Sequence, residues 1–175
     1  MSTYKELQEL QEQQERQELD MKTLAVISLI ILCVALSVAL FHTKTKPTVT
    51  FLNSGAVANP SLKLPFSEAV SVAETIYLSG QIGVIPQTLT LVEGGIEAET
   101  LQTMNNIKST LEANGLAMRN IVKCTIMLAD LSEWSKFNNV YTTFFKEPYP
   151  ARSALGVNGL ALGAKVEIEC LAVDH

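Results

Sequence analysis

Residues Leu24 to Phe41 (L-A-V-I-S-L-I-I-L-C-V-A-L-S-V-A-L-F) carry no charge over 18 consecutive positions. As a helix at 1.5 Å per residue this run reaches about 27 Å, just enough to cross a hydrocarbon core. A signal peptide is the main rival, with Ser37 and Ala39 as small residues near a cleavage point. The preceding arm is long and acidic, unlike a short basic n-region, and Leu32 before Cys33 spoils a lipoprotein-type site. A buried helix of a globular domain would need amphipathic partners, and none flank it. The run therefore predicts a single-pass anchor spanning 23–42, contacting the membrane through 24–41. Arg16 and Lys22 on one side balance Lys44 and Lys46 on the other, so charge leaves the orientation open, with the cytoplasmic side one option for the domain.

The anchor divides the chain. Residues 1–22 form a Gln/Glu-rich arm in which Thr3 and Glu6 fit a capping box, while Leu7, Leu10 and Leu19 are too sparse for a heptad seam. Residues 43–47 form a polar stalk ended by Pro47, and 48–175 are of domain size.

Within the domain, T-V-T-F-L from Thr48 reads as a strand. F-S-E-A-V-S-V, the turn A-E-T and I-Y-L-S-G-Q-I-G-V read as a hairpin, and 88–92 as a further short strand. Ile96, Leu101, Met104, Ile107 and Leu111 recur at helical spacing up to Gly115. Val122 to Ala129 is an apolar strand. Asp130 then caps a second helix with Leu131, Trp134, Phe137, Val140, Tyr141 and Phe144 on one face, stopped by Pro148. The alternation from Pro150 to Cys170 reads as a final hairpin that sets Arg152 across from Glu167 on a face away from the core. The order β-β-β-α-β-α-β-β predicts an α+β domain with both helices on one face of a mixed sheet. Ile76, Leu78, Ile82, Val84, Ile126 and Leu128 look too apolar for a bare opposite face, which points to oligomerisation.

The chemistry available is narrow. Cys33, Cys124 and Cys170 show no paired spacing, which argues against a disulfide framework and a metal site. His42 adjoins the apolar run and His175 is the last residue, which argues against a Ser/His/Asp or Cys/His engine inside the domain. From Lys44 onward the acidic residues outnumber the basic ones and no basic run occurs, which speaks against a nucleic-acid partner. An Arg152–Glu167 pair read by itself is a wet cross-strand ion pair worth little, or a guanidinium and a carboxylate set out for a small anion.

The motifs I-Y-L-S-G-Q-I-G, F-N-N-V-Y-T-T-F-F and P-A-R-S-A-L-G-V-N-G-L-A-L-G-A-K-V-E-I-E-C-L-A-V, in that order over about 48–174, resemble the RidA/YjgF family of imine deaminases. The resemblance implies a chorismate-mutase-like fold and a homotrimer whose sheets enclose a barrel, with clefts between subunits. It implies hydrolysis of 2-imino acids or their enamine tautomers to 2-oxo acids and ammonia, with no cofactor and no metal. Arg152 would bind the substrate carboxylate and Glu167 would position the attacking water; Ser79, Gly80 and Asn138 would line the cleft. Ala154 stands where the family often has Cys, and Phe66 where it usually has Tyr, which removes a hydroxyl from the cleft. The membrane run and the arm depart from the family pattern. A planar guanidinium suits a carboxylate, and a carboxylate beside water supplies a general base. The competing reading is a non-catalytic trimer, chaperone-like or binding small carboxylates, tethered to a membrane.

Overall fold

The computed structural model describes residues 2–42, 46–55, 57 and 61–174, and the chain divides into two compact units, Met1–Lys46 and Pro47–His175. The first unit is one helix, α1 (Ser2–His42), with no break between the polar arm and the apolar run. Its side chains from Leu24 to Ser37 are all exposed, so this is not the core helix of a globular fold. Ser37 Oγ donates to the Val34 carbonyl at 2.8 Å, which satisfies that hydroxyl within the helix. The Thr3–Glu6 capping contact and most of the expected stalk at 43–47 lie outside the described residues and side chains.

The second unit is an α+β domain with β1 (Val49–Leu52), β2 (Ala69–Val72), β3 (Thr75–Ile82), α2 (Gly95–Ala113), β4 (Ile121–Leu128), α3 (Trp134–Tyr141), β5 (Ala151–Gly156) and β6 (Val166–Val173). The β2–β3 hairpin forms where expected, turning through Ala73 at φ 52°. Residues 88–92 contribute only a Val84–Leu91 bridge. Helix α2 ends as the glycine predicts. Gly115 takes φ 78°, its N–H donates to Glu112 O, and Leu116 N–H donates to Leu111 O. Of the periodic positions on α2, Ile96, Met104, Ile107 and Leu111 are buried, whereas Leu101 is exposed. Among the other buried positions of α2, Thr100 and Thr103 enter the core by donating to carbonyls one turn back. Asp130 accepts the Ser132 N–H at 2.8 Å, and that bond holds its carboxyl below the ordinary range.

The expected terminal hairpin does not form. The strand order is β1-β2-β3-β6-β4-β5, so β4 lies between β6 and β5, and β5 pairs with β4 in parallel. A parallel pair needs a crossover connection, and residues 129–150, containing α3, supply it. Residues 157–165 are long enough to carry the chain past β4. Val157 N–H donates to Leu128 O, and Ala129 N–H donates to Lys165 O, so both flanks of the end of β4 are bonded. Alternation along a strand shows which residues share a face but not which strand lies alongside.

This topology reverses two further expectations. Of the six residues expected to leave an apolar face bare, Ile76, Leu78, Ile126 and Leu128 are instead buried in the core formed by one sheet face with α2 and α3, while Ile82 and Val84 are half-buried outside it. Cys124 and Cys170 stand directly opposite each other in the β4–β6 register and form a disulfide, although 46 residues separate them in sequence. Both are buried in that core, so their apolar surroundings masked the pairing.

Candidate functional site

The crossover helix sets the position of Arg152. Trp134, Asn138 and Tyr141 follow one another at i, i+4 and i+7, the spacing that aligns side chains on one helix face. Arg152 on edge strand β5 shares the helix-covered face with Cys124, its register partner. Its guanidinium carbon lies 4.8 Å from the Trp134 ring centroid and 5.0 Å from that of Tyr141. Nη1 donates to Asn138 Oδ1 at 2.8 Å. Two rings and an amide thus hold a cation whose residue stays exposed, and a guanidinium has five donors, so bonding capacity remains for an anion. The Tyr141 hydroxyl is buried without a hydrogen-bond partner; burial raises its pKa and the nearby Arg152 charge opposes the rise. Ala154 is exposed, two residues along the same strand and face.

Glu167 belongs to a different surface. It alternates with buried Val166 and Ile168, so its side chain leaves the sheet on the face away from the helices. Burial raises its pKa first, and the carboxylate of Glu169, its neighbour on that face, raises it further. The arrangement expected from the sequence, with Arg152 beside Glu167 favouring the ionised acid, therefore does not occur within one chain. The two lie on opposite faces, two strands apart, a lateral separation of about 10 Å.

Gly80 lies against Glu167. A Cβ on Gly80 would meet Glu167 Oε1 at 2.1 Å, so the carboxylate rests against the glycine backbone. Gly80 and Phe66 both line a cavity of about 230 Å³. Ser79 plays a supporting part. Its hydroxyl donates to Ser67 O at 2.7 Å and its N–H to Glu68 O at 3.0 Å, which ties the Phe66 segment to β3. The seven expected site residues thus fall into two groups: Arg152, Asn138 and Ala154 at the β5 edge, and Glu167, Gly80, Phe66 and Ser79 around β3 and β6.

Sequence reading missed Trp134 and Tyr141 as partners of Arg152 because both fit the apolar face of a helix. Their i, i+4, i+7 relation to Asn138 was the available signal. It also missed the buried bracing of the β3 end, where Asn106 Nδ2 donates to Ile82 O and Val84 O at 3.1 and 2.9 Å.

Fold and site together define an α+β domain with a six-stranded mixed sheet, two helices on one face, and an aromatic-clamped arginine at its edge. Residues 57–174 match the family model described as Endoribonuclease L-PSP, and the chain belongs to this RidA/YjgF family. A protein from Bos taurus named 2-iminobutanoate/2-iminopropanoate deaminase is 45% identical over 110 residues, covering 63% of this chain and 80% of the relative. The Homo sapiens protein of the same name is 42% identical over 110 residues, with the same coverage. Among solved structures, the E. coli YjgF gene product matches with a TM-score of 0.66 at 32% identity, covering 72% of this chain and 99% of that one.

Proposed function

We propose that the domain hydrolyses reactive 2-imino acids, and their enamine tautomers after protonation, to 2-oxo acids and ammonia. The observation that carries this reading is the Arg152 clamp: a permanently charged planar fork, fixed on three sides, in a chain similar to proteins named imine deaminases. The fork binds the substrate carboxylate. Glu167 accepts a proton from a water molecule as its oxygen bonds to the imine carbon. That proton passes to nitrogen; the C–N bond then breaks with its electron pair leaving on ammonia, and Glu167 takes the remaining hydroxyl proton as the C=O forms. The protonated imine is itself the electrophile, so the residues named suffice for the step.

One chain holds Arg152 and Glu167 on opposite faces, so neither can serve a ligand bound to the other in that chain. The reading therefore places each catalytic cleft between copies, with Arg152 of one beside Glu167 of the next, in the homotrimer that the family resemblance implies. Strand β5 supports this: it is an edge strand, exposed at every position, and includes Leu155 at 43% exposure. Asn138 and Ala154 complete the arginine side of the cleft, and Gly80, Ser79 and Phe66 the glutamate side.

Helix α1, long and apolar enough to cross a membrane, anchors this assembly as a single-pass segment. The Cys124–Cys170 disulfide supports placing the domain on the oxidising side, because such bonds are rare where thiols are kept reduced.

The test is ammonia release from freshly generated 2-iminobutanoate by the full-length chain in detergent micelles. Turnover above buffer is expected, and Arg152→Ala should lower kcat/KM by roughly 10- to 150-fold, the loss of a charge-assisted contact to a carboxylate. Wild-type rates equal to buffer, with 2-oxobutanoate still binding, would make the domain a carboxylate-binding module instead.

A further inference from the structure

Two of the buried polar side chains on α2 form their bonds outside the helix. Asn106 holds the Ile82 and Val84 carbonyls at the end of β3. Glu99, seven residues earlier on the same helix face, is 5% exposed, and its carboxylate accepts the Lys165 N–H at 2.7 Å. A buried carboxylate is costly unless bonded, so Glu99 is committed to this point of the chain, two residues before Glu167. The β3 end fixes Glu99 in turn: a Cβ on Gly83 would come within 2.8 Å of Glu99 Cα. Lys165 is bonded on its other sides as well. Its carbonyl accepts the Ala129 N–H at 3.0 Å, just past β4, and its Nζ lies 3.4 Å from Glu133 Oε2. Glu133 directly precedes Trp134, the first residue of α3 and one ring of the Arg152 clamp. Asp130, whose carboxyl is held low chiefly by bonds from Ser132, feels the Lys165 charge too. A second cation on Glu133, Lys136 at 4.0 Å, sits on α3 itself and cannot tie that helix to the sheet.

We infer that Lys165 is a positioning residue for both halves of the site. Its ammonium sets the head of α3, and so the rings around Arg152; its backbone, gripped by Glu99, sets the start of β6, and so Glu167. This rests on the imine-deaminase reading and adds to it. That reading gives Arg152 and Glu167 of one chain to two different clefts, so Lys165 ties the carboxylate grip of one cleft to the base of the next. The two actions run through separate atoms, Nζ for the arginine half and the N–H for the glutamate half, and substitutions can part them. A loosened clamp weakens carboxylate binding and appears in KM. A shifted β6 misplaces the base and appears in kcat.

The experiment uses the full-length chain in detergent micelles. It reads turnover of 2-iminobutanoate, calorimetric binding of 2-oxobutanoate, and acrylamide quenching of Trp134, the chain's single tryptophan. Lys165→Met removes the ammonium and keeps both backbone bonds. It should raise KM and the oxo-acid Kd together by roughly two- to fivefold, the range of a part-exposed ion pair, increase the quenching, and leave kcat within about twofold. Lys165→Arg should restore the wild-type values. Glu133→Gln should reproduce the loss, and the double variant Lys165→Met/Glu133→Gln should be no worse than either alone. Glu99→Gln, which turns a charge-assisted bond into a neutral one, should instead lower kcat by roughly two- to tenfold and leave KM unchanged. Turnover with unchanged Kd and quenching in Lys165→Met, or with kcat and KM altered alike in both variants, overturns the assignment and leaves the deaminase reading standing. No wild-type turnover, with the Lys165→Met losses in Kd and quenching still seen, overturns the deaminase reading and keeps Lys165 as the brace of the arginine. Wild-type quenching in Lys165→Met overturns the assignment whatever the turnover.

Discussion

Reducing the Cys124–Cys170 bond should cost the domain a large part of its stability. The bond closes a loop across a sequence separation of 46, and loop-closure entropy for that length stabilises the native state by about 4 kcal/mol. Little offsets the loss, because the two thiols stay in the core as small apolar groups and leave no charge or strong donor stranded. For a domain of this size about 4 °C of Tm accompanies each kcal/mol, so the expected drop is about 15 °C. The chain has a single tryptophan, Trp134 on α3, and its fluorescence reports on the domain without interference from α1. Protein unfolded, reduced and refolded under reductant would be compared with untreated protein at one concentration in detergent, since any assembly makes Tm depend on concentration. Thiol titration of the unfolded, unreduced chain should find Cys33 alone. A count of all three cysteines, or melting curves within about 2 °C of each other, would refute both the bond and the oxidising-side placement.

Other consequences follow from the same geometry. Gly80→Ala should displace the Glu167 carboxylate, whose flexible end occupies the space a Cβ needs, and lower kcat by about 100-fold or more while Tm hardly moves. Because the Glu167 pKa is raised above the ordinary 4.5, the acid limb of the kcat/KM profile should lie above that value, with activity rising as the carboxylate ionises; Glu169→Gln should move the limb down. The same raised pKa means the folded state holds the Glu167 proton more tightly than the unfolded one, so this group's contribution to stability declines as pH climbs from about 4.5 through the folded value. Trp134→Ala should raise KM for the carboxylate substrate roughly 2- to 30-fold by loosening the Arg152 clamp, with Trp134→Phe partly restoring it. Carbonate extraction should leave the full-length chain in the membrane pellet; its release would end the anchor assignment.

Element order and type were legible because they rest on short-range signals. The Ala73 turn joins two alternating strands, Gly115 closes α2, and Asp130 opens the segment leading to α3. What the sequence hid was adjacency. Arg152 and Glu167 lie 15 positions apart along an alternating stretch, and nothing in that alternation shows that β4 lies between their strands. The same blindness hid the disulfide, since Cys124 and Cys170 meet only because β6 pairs with β4 in that register. Leu101 fits the apolar period of α2 yet faces outward, because Thr100 and Thr103 can enter the core once their hydroxyls bond to the preceding turn.

The misplaced strand bears on how the candidate site works. Had β5 and β6 formed a hairpin, Arg152 would have neutralised Glu167 beside it, a pair of little consequence on a wet surface. In the observed topology the crossover helix takes charge of the arginine, and the glutamate sits on the other face beside the like charge of Glu169. Each group is then prepared separately: the cation is oriented but keeps donors to spare, and the carboxyl is partly desolvated, which strengthens it as a base when ionised. In the deaminase proposed above, bringing such a pair together needs a second copy at the exposed β5 edge. Variants Arg152→Ala and Glu167→Gln, each inactive alone, should therefore recover part of the activity when co-refolded as mixed assemblies. A composite cleft then forms wherever an intact Arg152 meets an intact Glu167, whereas a site contained within one chain would recover nothing.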